Sequence, residues 1–297
     1  MIVCKLIGGL GNQMFQYAYA EALAQYLQDD ICFDNSYYEG KEPAIFKFDI
    51  KYRDAEMNVE KSDFTIAKKK EKLYHVLEYV IRKLNHEEIG QKLFHWYSKQ
   101  GYYFNFDPFY YPSIKTKKQN KFIYGYFQGL QYFKLVEENI KKEFTADLSE
   151  CAKKYERQIE DCEAVAIHIR LGDYQNRKNQ YLNVCTDVYY EKGIKYINEH
   201  VNNPFFFVFT NNEKEVRSKK YIPSEAVFIT GTKDYEDILL MKKCKHFVIS
   251  ASTFSWWGSY LSEYEEKITV IPEIWMTTLK KDSAITMRDD MVKIEVK

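Results

Sequence analysis

The stretch "AIHIRLGDY", residues 166–174, is an apolar run that ends in charged and polar side chains. The apolar residues predict a buried β-strand. His168, Arg170 and Asp173 then bring an imidazole, a guanidinium and a carboxylate to the carboxyl end of that strand. Parallel sheets bind their ligands at this end of the strands, so the sequence predicts a functional site here.

Strands and helices alternate along the rest of this half of the chain. Apolar runs predict strands at 164–170, 205–210, 226–230, 246–250 and 268–272. Helical patterns separate the strands at 186–201, 213–220, 234–244 and 254–265. Near-continuous apolar strands that alternate with helices are typical of a doubly wound parallel sheet, which places the chain in the α/β class.

Polar residues follow other strands of the predicted sheet as well. The second strand ends in Thr210 and Asn211, and the fourth ends in Ser250. The helix after the fourth strand begins with three hydroxyl-bearing residues, Ser252, Thr253 and Ser255. An arginine offers a planar fork for phosphate oxygens, and the N–H groups at a helix start bind anions. These features favour a phosphate-containing ligand, although Ser252 or Thr253 alone would also serve as a helix cap.

The chain begins with a predicted strand–helix–strand unit. A strand at 2–7 is broken by "GGLGNQ", a helix follows, and a second strand covers 31–33. Gly9, Gly11 and Asp34 form part of a dinucleotide-binding pattern, but Met14 occupies the place of its third glycine. Two amides at the helix start favour hydrogen bonds to a polar ligand instead, namely Asn12 and Gln13.

The region between 34 and 150 has a weaker pattern. Helices are predicted at 71–84 and 130–144. Lysine-rich stretches at 68–72 and 115–121 are expected to be solvated surface, with peripheral membrane contact as the alternative. The 26 Tyr and 20 Phe of the chain fit ordinary packing and also a sugar-binding cleft.

Composition excludes some classes of protein and favours a cytoplasmic location. Lys and Arg (43) balance Asp and Glu (43), so no overall basic charge indicates a nucleic-acid partner. The six cysteines show neither a CxxC pair nor metal-ligand spacing, which fits free thiols in a reducing compartment. No signal peptide and no long apolar run are recognisable. No D-x-D pair is present to hold a divalent metal, so neither a metal nor another cofactor is expected.

Five motifs resemble those of the α-1,2-fucosyltransferases of glycosyltransferase family 11, in the family's order. They are "IGGLGNQMFQYA", "HIRLGDY", "DILLMKKCKHFVIS", "STFSWWGSYL" and "IPEIW", which together span residues 7–275. The resemblance implies a GT-B-like fold of two Rossmann-like domains. Residues 1–155 would form an N-terminal α/β domain with acceptor-side insertions, and residues 156–297 would bind GDP-fucose. It also implies a soluble bacterial enzyme of polysaccharide or O-antigen biosynthesis. That enzyme transfers L-fucose, with inversion and without a metal, to the 2-hydroxyl of a terminal galactose-type sugar.

The resemblance also implies roles for single residues. Arg170 would hold the β-phosphate and stabilise departing GDP, and His168 would line the donor site. Asn12 would face the fucose and phosphate from the other domain. The diphosphate would contact the hydroxyls of Ser252, Thr253 and Ser255. Two positions depart from the family's pattern, since Leu171 replaces a frequent second arginine and Ala251 a common asparagine.

Two residues keep alternative roles. Asp237, in the first turn of a predicted helix, would read guanine by resemblance, but it would also be a favourable charge at a helix N-terminus. Asp173 is the first candidate for the base that accepts the acceptor's proton, and its alternative role is to orient Arg170.

Two functions from other classes are also consistent with the sequence. One is an NAD(P)-dependent oxidoreductase, which rests on the glycine loop and Asp34. The other is a non-catalytic glycan-binding protein, which rests on the aromatic content.

Overall fold

A computed structural model of the chain describes residues 1–84, 87–106, 110–171, 180–277 and 288–297. The chain divides into two units, Met1–Thr145 and Ala146–Lys297, which we call the N-terminal unit and the C-terminal unit. This boundary lies about ten residues before the predicted one at 155/156. The reason is that the helix Glu150–Glu160, which the sequence did not reveal, packs on a helix and a strand of the C-terminal unit.

The N-terminal unit contains a parallel sheet whose strand order is β2-β1-β4-β3. The predicted strand–helix–strand start is confirmed, and the first helix is apolar and buried along most of its length. The elements of this unit are β1 Ile2–Lys5, α1 Leu10–Leu27, β2 Ile31–Asp34, α2 Lys61–Leu84, α3 Glu87–Lys99, β3 Tyr102–Phe104, β4 Lys121–Tyr124 and α4 Glu137–Glu143.

The middle of this unit departs most from the sequence-based expectation. Helix α2 begins at Lys61, ten residues before the predicted start, and the helix expected at 130–144 is reduced to two 3₁₀ turns and α4. Helix α3 and strands β3 and β4 were not predicted. Strand β3 has three residues and lies inside an aromatic stretch, and β4 has four residues and begins at the last residue of the lysine-rich stretch 115–121, so no alternating pattern marked them.

One lysine of the 115–121 stretch is buried, contrary to the expected solvated surface. Lys121 begins β4, is 8% exposed, and its Nζ lies 2.5 Å from Oδ2 of Asp29. Its backbone pairs with that of Ile2 on β1. A lysine is tolerated inside when its charge is paired, so this residue anchors a strand of the sheet.

No helix of the described ranges is long and apolar enough to cross a membrane.

The C-terminal unit contains a second parallel sheet, with strand order β10-β9-β8-β5-β6-β7. From β5 the chain runs outward to β7, crosses back to β8 and continues in the other direction to β10. The sheet is therefore doubly wound, as predicted. The elements of this unit are α5 Glu150–Glu160, β5 Glu163–Ile169, α6 Asp187–His200, β6 Pro204–Thr210, α7 Glu213–Val216, β7 Val227–Phe228, α8 Asp234–Lys243, β8 His246–Val248, α9 Thr253–Leu261, β9 Thr269–Pro272 and β10 Val292–Ile294.

Alternate residues of β5 face opposite sides of this sheet. Val165 and Ile167 lie in the apolar core that α6 covers. His168 faces the other way and stacks on Phe254 of α9. Helix α9 packs on α8, which in turn packs on α5. The sheet thus has helices on both faces, which leaves its carboxyl edge as the place for a site.

Candidate active site

The carboxyl ends of β5 and β8 lie side by side at the centre of the C-terminal sheet. The strands are in register, with Ile167 opposite Val248, and the chain leaves them in opposite directions. This is the topological switch point, where doubly wound sheets bind ligands. Here Nδ1 of His168 and Oγ of Ser250 share a hydrogen bond of 2.7 Å that joins the two strand ends.

His168 is a neutral group at this point. It is 4% exposed and its ring lies 5.5 Å from that of Phe254, centroid to centroid. Burial, together with the nearby positive charge of Arg170, lowers the pKa of His168 from 6.5 to about 3. So low a pKa makes the imidazole a poor base at neutral pH, and His168 positions its neighbours through hydrogen bonds instead.

Arg170 follows β5 directly and is partly exposed. The backbone after it is fixed by Asn211, whose Oδ1 accepts from the N–H of Leu171 at 2.9 Å. The Nδ2 of Asn211 donates to the carbonyl oxygen of Leu171 at 3.0 Å. These two bonds brace the strand end that carries Arg170. Asn211 is exposed, and its predicted role as a donor ligand stays a prediction.

Thr210 also has a local structural contact. Its Oγ1 accepts a hydrogen bond of 3.1 Å from the backbone N–H of Asn212, which forms a turn at the end of β6. The side chains predicted to bind the donor after β6 therefore shape the strand end. Asp173, the predicted base, lies in residues 172–179, outside the described ranges, and its role stays a prediction.

The start of α9 lies beside this strand pair. Ser252 is the N-cap, and its Oγ accepts from the N–H of Phe254 at 3.3 Å. Ser255 is fully buried, and its hydroxyl contacts the carbonyl oxygens of Ser250 and Ser252 at 3.5 and 3.4 Å. The capping alternative thus describes Ser252, and Ser255 serves the helix rather than a ligand. Thr253 is the partly exposed hydroxyl of the three.

Asp237 lies in the first turn of α8, after the carboxyl end of β7, and is partly buried. Thr232 donates to its Oδ1 at 2.5 Å. Burial raises the pKa of Asp237 from 3.8 to about 7, the Thr232 hydrogen bond lowers it, and the charges of Asp234 and Glu236 raise it further. A carboxylate that mainly stabilised the helix N-terminus would have a lowered pKa, so the raised pKa disfavours that alternative, and the binding role of Asp237 stays a prediction.

Glu236 holds the start of α8 in place and was missed by the sequence reasoning. It is 1% exposed, and its two carboxylate oxygens accept from the N–H groups of Ser149 and Lys233 at 2.7 and 2.8 Å. It therefore fixes the turn that carries Asp237. An acidic residue three positions after a helix start was the available signal, because such residues often bond back to the N-cap.

The glycine loop of the N-terminal unit is braced from within. Nε2 of Gln13 donates to the carbonyl oxygen of Gly8 at 3.0 Å, and its Oε1 accepts from the N–H of Ile45 at 2.9 Å. Gln13 is 2% exposed, so this predicted donor ligand is a structural residue. Gly8 has a φ of +78°, a conformation that favours glycine.

Asn12 and Gly9 present the open side of this loop. Asn12 is partly exposed, and its Oδ1 accepts from Nε2 of Gln128 at 2.9 Å. Gly9 is exposed and has no protein atom within 4 Å of where a Cβ would stand, whereas Gly11 is buried in the first turn of α1. Space above a glycine permits close approach of a ligand, so Asn12 and Gly9 stay candidates.

Gln16 was not singled out by the sequence reasoning, although it joins two strands. Its Oε1 accepts from the N–H of Ile7 at 3.0 Å, and its Nε2 donates to the carbonyl oxygens of Ile7 and Gly125 at 3.3 and 3.1 Å. These residues follow β1 and β4, which pair in the N-terminal sheet. A polar residue on the buried face of an apolar helix was the signal.

Asp34 does not present a free carboxylate. It is 5% exposed, and its Oδ1 accepts from the N–H of Ser36 at 2.9 Å, which forms a turn after β2. A dinucleotide-binding acid must instead reach a ribose hydroxyl. The geometry therefore disfavours the oxidoreductase alternative.

Comparison with known families identifies the chain. The model of Glycosyl transferase family 11 matches residues 91–293. The chain belongs to this family. It is therefore a glycosyltransferase, and the two alternatives, an oxidoreductase and a non-catalytic glycan-binding protein, are wrong.

Two relatives of the family 11 chain from Escherichia coli match almost its whole length. An alpha-1,2-colitosyltransferase is 29% identical over 307 residues, which cover 99% of each chain. The O-antigen biosynthesis glycosyltransferase WbnK is 29% identical over 307 residues, which cover 95% of this chain and 97% of WbnK.

The fold has a counterpart among solved structures. NodZ alpha-1,6-fucosyltransferase, soaked with GDP-fucose, superposes with a TM-score of 0.52 at 13% identity, over 88% of this chain and 91% of NodZ. This likeness confirms the predicted fold class, an α/β chain of GT-B-like type with parallel sheets.

In the ranges that the structure describes, no group of three or more His, Cys, Asp or Glu residues is arranged to hold a metal ion.

Proposed function

We propose that this family 11 enzyme transfers L-fucose from GDP-β-L-fucose to the 2-hydroxyl of a terminal galactose-type residue, with inversion and without a metal. The observation that carries the proposal is the switch point between β5 and β8. Arg170, the neutral His168 and the start of α9 lie around it. A fixed cation beside a helix N-terminus suits a diphosphate leaving group.

Asp237 recognises the guanine of the donor by accepting hydrogen bonds from it. A carboxylate accepts hydrogen bonds from two neighbouring N–H groups, which a guanine edge offers. A pKa near 7 in the free protein means that the carboxylate lacks partners strong enough to hold its charge. A guanine whose N–H groups donate to the carboxylate supplies these partners. Ligand binding then offsets the cost of burying the charge.

The linkage and the sugar rest on the family. The sequence motifs resemble those of α-1,2-fucosyltransferases. One of the two Escherichia coli relatives is named an alpha-1,2-colitosyltransferase. NodZ was soaked with GDP-fucose, which makes this nucleotide sugar the first donor to test. Colitose is the alternative sugar because of the full-length relative that transfers it.

The chemistry is a direct displacement. The acceptor hydroxyl attacks the anomeric carbon while the bond to the β-phosphate oxygen breaks, so GDP leaves with the bonding electrons and the configuration inverts. Arg170 and the N–H groups of α9 stabilise the charge that develops on GDP. A base accepts the hydroxyl proton, and Asp173 is the candidate for this role.

An acceptor screen tests the proposed function. GDP release is measured with GDP-fucose and a set of galactose-terminated oligosaccharides, and the product linkage is read by NMR. A 1,2-linked α-fucoside is the expected product. GDP release with GDP-colitose but not with GDP-fucose, or a product of another linkage, would contradict the proposal.

Activity should not depend on a divalent metal. Arg170 and the start of α9 supply the positive charge that a metal would otherwise bring to the diphosphate, and the sequence contains no D-x-D pair. We expect turnover of GDP-fucose in EDTA to stay within about twofold of that in buffer alone. Loss of turnover in EDTA that manganese or magnesium restores would show that the transfer requires a metal.

Replacement of Asp173 should separate chemistry from binding. If its carboxylate accepts the proton, Asp173→Asn lowers kcat more than it weakens GDP binding, because Asn retains the shape and loses the base. Turnover and the Kd for GDP are measured on the same preparation. An equal loss in both would assign Asp173 to the orientation of Arg170, and unchanged turnover would remove it from the site.

A further inference from the structure

Helix α2 carries two apolar stripes, and only one of them is used for folding. Ala67, Tyr74 and Ile81 repeat every seven residues and are 7%, 4% and 3% exposed. They lie against the N-terminal unit, where the hydroxyl of Tyr74 donates to the carbonyl oxygen of Asn105 at 2.5 Å. This stripe holds the helix on its own unit.

The second stripe faces outward. Ile66, Leu73 and Val80 precede the buried residues by one position, and Val76 lies between the last two on the helix surface. We call these four residues the outer face of α2. They are 45–62% exposed. Contiguous exposed apolar residues on one helix face are uncommon in proteins without a partner at that surface.

Positive charge surrounds the outer face. Over Lys61–Leu84 the sequence has seven Lys or Arg residues against three acidic ones, a net charge of +4 in a chain whose net charge is zero. Lys69 lies between Ile66 and Leu73 on the helix surface, and the exposed Lys72 lies along one border.

The acidic residues of α2 are turned toward the unit. Glu71 is paired with Lys5 of β1 at 2.6 Å, and Asp63 accepts from Nδ2 of Asn120 at 2.8 Å. Glu78 is half-buried. The outward surface of the helix therefore carries a more positive charge than its sequence alone would give.

A tryptophan lies at the other border of the outer face. Trp96 of α3 is 49% exposed, and Nζ of Lys70 lies 5.0 Å from the centre of its ring. Tryptophan and lysine side chains together are typical of surfaces at the boundary between lipid and water. The other tryptophans of the chain, Trp256, Trp257 and Trp275, are at most 3% exposed.

We propose that the outer face of α2 binds an anionic membrane surface, with its apolar side chains in the interface and its lysines on the lipid phosphates. An amphipathic helix with lysines beside its apolar residues has the composition for this partner. A second copy of the chain fits less well. A two-fold contact would bring Lys69 and its neighbours against the same lysines of the other copy, and interfaces between proteins are depleted in lysine.

Trp96 reports on the contact directly. The full chain is mixed with vesicles of phosphatidylcholine alone or of equimolar phosphatidylcholine and phosphatidylglycerol, and sedimentation and tryptophan emission are measured. We expect sedimentation with the anionic vesicles only, weakened by salt, and a blue shift of the emission that Trp96→Phe abolishes. Absence of sedimentation with anionic vesicles at low salt would overturn the proposal.

Matched variants separate the apolar and charged contributions. Leu73→Ser with Val76→Ser should weaken binding at least about tenfold, because two large apolar groups no longer enter the interface. Lys69→Glu with Lys72→Glu should weaken it by on the order of tenfold or more. Leu135→Ser, which changes a residue 59% exposed elsewhere on the unit, and Lys195→Glu are the controls and should leave binding unchanged.

Two further measurements complete the test. Transfer of fucose to a water-soluble acceptor should be unchanged in the α2 variants, so a failure of the proposed function is distinguishable from a failure of this inference. The mass in solution is measured by light scattering. A wild-type dimer that Leu73→Ser with Val76→Ser converts to a monomer, without vesicle binding, would assign the outer face to self-association and overturn the proposal.

Discussion

Arg170→Ala should lower the turnover of GDP-fucose by on the order of a hundred- to a thousandfold. A lost donor to the charge that develops in a transition state costs about 3–4 kcal/mol. The neighbouring groups cannot replace it. Leu171 carries no charge, and His168, with a pKa of about 3, is neutral at the pH of the reaction. The proposed contact of the diphosphate with the start of α9 remains in this variant, so a residual activity is expected.

Arg170→Lys should recover only part of this loss, because an ammonium group cannot reproduce the planar fork of a guanidinium. Arg157→Ala, an exposed arginine on α5, is the control and should keep full turnover. Turnover and melting temperature are measured for all three variants. If Arg170→Ala keeps most of its turnover, the assignment of the site is wrong. If it loses turnover only because it unfolds, Arg170 is a structural residue.

The sequence predicts the C-terminal sheet because each of its long strands is an apolar run bounded by helices. That pattern placed His168, Arg170 and Ser250 at strand ends, and parallel strands bring such ends to one edge. The pattern could not show that His168 forms a hydrogen bond with Ser250 across the switch point, because hydrophobic periodicity does not determine the order of strands in a sheet. It also missed β10, a three-residue strand whose pattern is too short to recognise.

Several polar residues near the site have structural contacts that the sequence did not reveal, for a single physical reason. The side chains of Gln13, Asn211 and Ser255 have the hydrogen-bonding groups of ligand residues, but the structure pairs those groups with backbone atoms. A sequence shows that a side chain is polar and near a loop. It does not show whether the nearest partner is a ligand or an orphaned backbone N–H or C=O.

The region between 34 and 150 was least predictable because many of its packing contacts join aromatic residues that are far apart in the sequence. Tyr19, for example, stacks on Phe127 with ring centroids 3.8 Å apart, although the two are far apart in the sequence. Such contacts leave no periodicity in the chain. The apolar residues of α2 were equally ambiguous, since the sequence alone does not say which of two stripes faces the core.

Asp237→Asn should weaken the binding of GDP-fucose by on the order of a hundredfold at pH 8, with kcat much less affected. Hydrogen bonds to a charged group contribute about 1.5–3 kcal/mol each, and asparagine keeps one acceptor without the charge. The same change should leave the melting temperature at pH 8 equal or higher. The pKa of Asp237 is raised to about 7 in the folded protein against about 4 in the unfolded chain. Its ionisation therefore disfavours folding as pH rises through that window, and asparagine removes this cost.

The pH dependence of donor binding tests the same carboxylate in the unaltered protein. One unit below a pKa of about 7 only about one carboxylate in ten is ionised, so kcat/KM for GDP-fucose should fall about tenfold between pH 8 and pH 6 and faster below. In Asp237→Asn this fall should disappear. Asp234→Asn is the matched control, because Asp234 is exposed in the same turn of α8. It should keep the affinity at pH 8 and move the fall to lower pH, because the charge of Asp234 contributes to the raised pKa of Asp237. If Asp237→Asn lowers the melting temperature and leaves KM unchanged, the carboxylate serves the helix, and the guanine is read by another group.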